Sequence, residues 1–320
     1  MNKKLILAPL LGVTGTTFRS IFHNRFTGFT AALAPFITTT HGNPASRSHF
    51  KDILPENNRD SMPVIPQLIG KDGHDFVTAA NRIHDDFGYT EVNWNIGCPA
   101  PTVAARMRGA GILSHPEVID AFLDTVCGAI KPKLSVKMRL GMESPDEYQR
   151  LIPILNAYPI AEITVHPRTG VQLYDGHADV EHFAHLFAAL KSPVMYNGDI
   201  TTTDFARKIL ARFPTVSGLM IGRGAIANPF LPQAILDDVS EVKLFDARKL
   251  KNLHDELYAV NREGLSGGPT PLLGRMKELW KYWAVHLETE RVLRNILKAK
   301  TIDEYRSASM IAFASMHSDQ

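Results

Sequence analysis

A single thiol stands where this chain can do chemistry. Cys98 lies in Asn95-Ile96-Gly97-Cys98-Pro99, directly after an apolar run, Thr90–Ile96, that reads as a buried strand. A Gly-Cys-Pro turn at a strand's C-terminal end puts the thiol where parallel α/β folds keep their reactive groups. There it can serve as a nucleophile or as an acid, depending on its neighbours. The ends of the other apolar runs supply those neighbours. They are Pro9, Pro35, Gln67, Asn95, Lys137 with Arg139, His166 with Arg168, Asn197-Gly198-Asp199 and Gly222-Arg223-Gly224.

Lys137 and Arg139 alternate within Ser135-Val136-Lys137-Met138-Arg139 and so point to one side. Two cations facing a barrel interior call for an anionic partner. Gly198 and Gly222 taken singly read as tight-turn glycines. Paired after the last two strands, and joined by Arg223, they read as a phosphate site whose backbone N–H groups an anion can approach. His166 closes an apolar strand, and Arg168 two residues on marks it as part of a site. Cys127 falls in an apolar helix pattern and reads as a small buried hydrophobe. Neither a metal-ligand spacing nor a Gly-x-Gly-x-x-Gly or Walker loop occurs.

These residues need a scaffold that gathers strand ends. Eight short runs rich in Val, Ile and Leu provide one: Leu5–Pro9, Thr30–Pro35, Pro63–Ile69, Thr90–Ile96, Leu134–Leu140, Ala161–His166, Pro193–Asn197 and Val216–Gly222. They do not alternate cleanly, as expected of strands covered on both faces. Helix-like segments separate most of them, clearest at 73–87, 115–130 and 204–213; residues 41–62 read as loop. The pattern predicts an α/β fold, a (β/α)8 TIM barrel over 1–240. Beyond it, helices at 246–263, 273–287 and 288–299 predict an all-helical domain over 241–320, with Gly264–Pro271 as a break. Trp280, Tyr282 and Trp283 read as its core.

Composition agrees with a globular protein of this size. The chain has 320 residues, 44% hydrophobic, and two cysteines. That is too few thiols for a disulfide framework and points to a reducing cytoplasm. Lys3-Lys4 and the run Leu5–Val13 imitate a signal peptide, but the polar stretch that follows argues for a first strand instead. The net charge of +2 arises wholly in 241–320, where 13 basic residues face 11 acidic ones. Arg291, Arg294 and Lys298 share a helix face, and Lys277 and Lys281 form another pair. As a group they are candidate phosphate contacts.

The motifs together resemble the tRNA-dihydrouridine synthase family. The resemblance rests on Ala8-Pro9-Leu10-Leu11-Gly12-Val13-Thr14 with Phe18-Arg19, Asn95–Pro99 with Gly109-Ala110-Gly111-Ile112-Leu113, and Lys137-Met138-Arg139-Leu140-Gly141. His166-Pro167-Arg168-Thr169 with Gln172 and Tyr174, Asn197-Gly198-Asp199 and Met220–Gly224 follow in family order. The chain departs from the family pattern at Leu10, Ala34-Pro35-Phe36, Pro167 and Val180.

The resemblance implies a barrel that holds FMN and a helical domain that grips tRNA. FMN reduced by NADPH delivers hydride to C6 of a uridine, and Cys98 protonates C5. Pro9, Leu10, Leu11, Gln67, Lys137, His166, Asn197, Gly198, Asp199, Gly222 and Arg223 would hold the flavin. Asn95, Arg139, Arg168 and Tyr174 would meet the base, and Lys277, Lys281, Arg291, Arg294 and Lys298 the tRNA. Arg275-Met276-Lys277 resembles the branch acting on uridine 16. A thiol with an ordinary pKa of ~8.5 keeps its proton near pH 7, as an acid must. A monomer suffices. Two rivals share the scaffold: a small-molecule FMN dehydrogenase of the dihydroorotate dehydrogenase type, and a non-catalytic RNA-binding protein.

Overall fold

A computed structural model describes residues 3–39, 41, 46–264 and 267–316, apart from the side chains at 242 and 243. Ten strands form one parallel sheet. They are β1 (Lys4–Leu7), β2 (Ala31–Leu33), β3 (Ile37–Thr38), β4 (Val64–Ile65), β5 (Gln67–Ile69), β6 (Glu91–Ile96), β7 (Lys133–Gly141), β8 (Glu162–Thr169), β9 (Val194–Tyr196) and β10 (Gly218–Ile221). β1 pairs with both β2 and β10, and the ladder continues from β10 through β9, β8, β7 and β6 to β5. β2 pairs with β4, and only Pro66 separates β4 from β5, so the run 64–69 closes the ring. Pro66 has no N–H to give the ladder, which interrupts the strand there. The eight expected runs are thus the barrel, and β3 is an added short strand beside β5.

Two layers of side chains follow from strand alternation. Outward residues such as Val92, Trp94, Val136, Ile163 and Val165 form the main core against the helices, where Trp94 stacks on Phe122 with ring centroids 3.7 Å apart. Inward residues split into two kinds. Ile6, Ala8, Leu33, Met195 and Met220 make a small apolar plug. Opposite them, Gln67, Asn93, Asn95, Ser135, Arg139, Thr164, His166 and Arg168 are all buried. Register fixes this polar half: Gln67 lies beside Asn93, Asn93 beside Ser135, Asn95 beside Lys137, and Arg139 beside His166.

The helices at Gly73–Phe87, Pro116–Cys127 and Thr203–Arg212 lie where the patterns put them. Residues 41–62 differ: the described part contains the 3-10 segments Arg47–Ile53 and Pro55–Asn57, while 42–45 lie outside the described residues. Arg19 holds this segment down. It is fully buried and donates to Asp52 Oδ2 (2.8 Å), the Asp52 carbonyl (2.6 Å) and Asn58 Oδ1 (2.9 Å).

The tail consists of Ala247–Gly264, Pro269–Trp283, Glu290–Lys298 and Ile302–Ser315, with the 3-10 turn Ala284–His286. Within the expected break at 264–271, residues 265 and 266 lie outside the described residues. Trp280 and Trp283 are fully buried, as expected, whereas Tyr282 is half-buried. The tail shares a hydrophobic cluster with the barrel's first helix, Thr16–Arg25, through Phe18, Phe22, Leu253 and Leu257. It also reaches the barrel mouth. Trp283 Nε1 donates to the Ile226 carbonyl at 2.9 Å and His286 Nε2 meets the Ala227 carbonyl at 2.8 Å. Those carbonyls end the short helix Arg223–Ala227 and have no acceptor role within it.

Candidate active site

The Cys98 turn is pinned on three sides. Asn95 Oδ1 accepts from the backbone N–H groups of Gly97 (3.0 Å) and Cys98 (2.9 Å). Arg139 Nε donates to the Gly97 carbonyl at 3.1 Å. The Cys98 carbonyl accepts from Ala110 N–H at 2.8 Å. Gly109 allows that last approach: its φ is +56° and a Cβ there would stand 2.5 Å from the Cys98 oxygen. The backbone is fixed while the thiol itself stays half-buried.

An open cleft lies at the same mouth. Ala8, Pro9, Leu10, Lys137, His166 and Tyr174 line one part, and Asn197–Thr201 with Met220–Gly224 the other. Asn197 Nδ2 donates to the Met220 carbonyl at 2.8 Å, tying the last two strand ends together. Gly222 packs closely here, since a Cβ on it would come 3.2 Å from that of Ala8. Arg223 and Gly224 begin a helix, so their N–H groups have no intrahelical acceptor.

Lys137 makes no hydrogen bond or ion pair among the described residues. Burial, helped by the nearby charge of Arg139, pulls its ammonium down to about 7, and Cys98 opposes the shift. Burial and the four cations Lys137, Arg139, Arg168 and Arg223 keep His166 neutral. Arg168 Nη1 meets His166 Nε2 at 3.0 Å. A guanidinium can only donate, so Nε2 is the bare nitrogen and Nδ1 carries the proton.

Arg168 commits four of its five N–H donors within the protein. It donates to the Asp175 (3.3 Å) and Gly176 (2.7 Å) carbonyls and to Asp199 Oδ2 (2.7 Å), besides His166. Asp199 also accepts from Arg223 Nη2 (3.0 Å) and Ala178 N–H (2.8 Å). Burial works against its charge, but the bonds from Arg168 and Ala178 hold its carboxyl below the usual range. Tyr174 closes the group: Arg223 lies 4.3 Å and Arg139 5.4 Å from its ring centroid.

Not every residue singled out in the sequence reaches this cavity. Leu11 is 69% exposed and Gln67 is fully buried; neither lines it. Arg139 is partly engaged within the protein, where the Gly97 and Thr169 carbonyls accept from it, the latter at 2.6 Å. Burial brings its guanidinium to about 10, still charged near neutrality. In the tail, Lys277 donates to the Ala299 carbonyl and Lys281 pairs with Glu278 at 2.6 Å. Arg291, Arg294 and Lys298 are exposed on the helix Glu290–Lys298. Cys127 is half-buried rather than buried as expected, and burial and Asp124 push its thiol up to about 11. Sequence reasoning passed over Asn93 and Ser135, which strand alternation places on the inward face beside Asn95 and Lys137.

A clamped thiol, an unpaired, half-buried lysine and a cleft rich in donors at the C-terminal mouth define a (β/α)8-barrel enzyme. The dihydrouridine synthase family model matches residues 6–304, and the chain belongs to that family. It is therefore an oxidoreductase. It is 29% identical over 265 residues to tRNA-dihydrouridine synthase B of Proteus vulgaris, covering 78% of this chain and 80% of that protein. It is 30% identical to the probable tRNA-dihydrouridine synthase of Rickettsia bellii, covering 72% of this chain and 70% of that one. In fold it resembles the old yellow enzyme from Trypanosoma cruzi, with TM-score 0.53, 13% identity, and coverage of 73% and 88% of the two chains. Among the described residues no helix is long and apolar enough to cross a membrane.

Proposed function

We propose that this chain reduces the 5,6 double bond of a uridine in the D-loop of tRNA, with bound FMN, NADPH as electron donor and Cys98 as proton donor. One observation carries the reading: the unpartnered ammonium of Lys137 lines the same cavity as Gly198, Gly222 and Arg223.

The residues present fit a flavin mononucleotide. The cleft's free polarity is cationic and donor-rich, and its one carboxylate, Asp199, is neutralised by Arg168 and Arg223. Gly198, Asp199, Gly222 and Arg223 would hold the phosphate, with Asn197, Pro9 and Leu10 forming the walls. Lys137 and His166 would face the ring system, while Gln67, buried behind Asn95, would act only through that residue. Bound FMN, reduced by NADPH, supplies the hydride for C6 of the base.

The protein's own part is the proton and the pose. Cys98 Sγ gives its proton to C5, and the pinned turn keeps it aimed. The base must leave the folded tRNA to reach the mouth. Tyr174, 45% exposed, offers a ring for it to stack on. Arg139 and Asn95 serve the base mainly by holding the Cys98 turn, and Arg168 by holding the Tyr174 loop and Asp199.

The division of labour follows the chain: 1–240 binds flavin and reacts, 241–320 grips tRNA. Arg291, Arg294 and Lys298 are free for phosphates. Lys281 leaves an exposed pair at little cost, and Lys277 contributes its position beside the helix end. We infer a monomer working in the cytoplasm on uridine 16, the last carried by Arg275-Met276-Lys277. The first test is flavin: purified full-length protein should be yellow and bleached by NADPH. A protein that takes up no FMN overturns the reading.

A further inference from the structure

Four buried side chains run as a single file of hydrogen bonds from the barrel interior to the Cys98 turn. Gly97 and Cys98 donate their N–H groups to Asn95 Oδ1. Asn95 Nδ2 donates to Gln67 Oε1 at 2.8 Å. Gln67 Nε2 donates to Asn93 Oδ1 at 2.8 Å. Asn93 Nδ2 donates to Ser135 Oγ at 3.0 Å, and Ser135 Oγ turns to the Val92 carbonyl at 3.5 Å. None of the four is more than 6% exposed.

The direction of the file is fixed at the Cys98 end. A backbone N–H can only donate, so Asn95 must present its oxygen to the Cys98 turn. Gln67 and Asn93 are then each locked in one of their two flip states, because reversing either sets donor against donor or acceptor against acceptor. Aligned bonds of this kind also strengthen one another in a low-dielectric interior. Register supplies the geometry, since Gln67, Asn93 and Ser135 occupy one level on three adjacent strands.

We propose that Asn93 and Ser135, neither of which reaches the cavity, are positioning residues that orient Gln67 and, through Asn95, set the Cys98 turn. The inference rests on the reading of Cys98 as proton donor only for its consequence in catalysis. The coupling itself belongs to the protein alone. It deepens that reading by linking a residue expected at the flavin, Gln67, with the backbone that carries the acid.

The test is hydrogen exchange by NMR on the full-length protein as purified, comparing wild type with Asn93→Leu and Ser135→Ala. Asn93→Leu removes the bonds to both Gln67 and Ser135, whereas Ser135→Ala removes only the last link. In both, exchange of the Asn95 side-chain amide and the Cys98 backbone N–H should rise at least about fivefold. The amides of Ile163 and Val165 in β8 should stay unchanged. Unchanged exchange at Cys98 in both variants overturns the proposal, and so does an equal rise throughout the barrel. Because the readout needs neither flavin nor tRNA, it separates the two claims. A Cys98-specific rise in protein that binds no FMN supports the coupling and overturns only the functional reading.

Discussion

Asp199 Oδ2 accepts from Arg168 Nη2 at 2.7 Å while its other oxygen accepts from Arg223 at 3.0 Å. One carboxylate therefore bridges a fully buried guanidinium and the half-exposed one at the anion cleft. Asp199 holds this place with a φ of +48°, a conformation that Asn tolerates better than most residues. Asp199→Asn isolates the charge. It should lower stability by about 2 kcal/mol, the range of a hydrogen bond to a charged group. That corresponds to a fall in Tm of about 4 °C by calorimetry. The pH dependence has a definite sign. Asp199's carboxyl is held low in the folded protein, so its contribution is present above the unfolded pKa of ~3.9 and is lost as pH falls below it. The variant should lose stability less steeply on the acid side.

Lys137 works the other way. Its ammonium is pulled down to about 7 in the folded chain, well under the unfolded value of ~10.4. Between these values the unfolded chain binds more protons, so stability rises with pH. Flavin-free protein should gain stability from about pH 7 upward, and Lys137→Met should flatten that rise. The same substitution should abolish FMN uptake, measured by absorbance titration.

Gly109 tests the clamp on the thiol. Gly109→Ala puts a methyl 2.5 Å from the Cys98 carbonyl at a φ of +56°. The turn must shift. Flavin content should hold, while dihydrouridine formation falls roughly 100-fold, the order expected when a reacting group moves by about 1 Å. Single-turnover assays of reduced enzyme with tRNA measure it.

The barrel was legible because strands covered on both faces leave short unbroken apolar runs. The mouth was legible because polar residues at their ends stand out against them. Partners were not, since alternation tells which way a side chain points and not what it meets. Arg139 and Arg168 read as free cations, yet backbone carbonyls and Asp199 engage them. The helix Ile302–Ser315 escaped notice because its apolar residues form no stripe, although Thr301 and Glu304 make a capping box at its start. Asn93 could have been found from Asn95, two residues on in the same strand.

Cys98 carries the central claim. Cys98→Ala should leave the barrel folded and the flavin bound and reducible by NADPH. The decisive measurement incubates purified enzyme, NADPH and unmodified tRNA, then maps D-loop uridines by mass for the gain of two hydrogens. Wild type should convert one position, and Cys98→Ala should be slower by at least ~100-fold, the lower range for loss of a general acid. Equal conversion by both proteins would contradict the account.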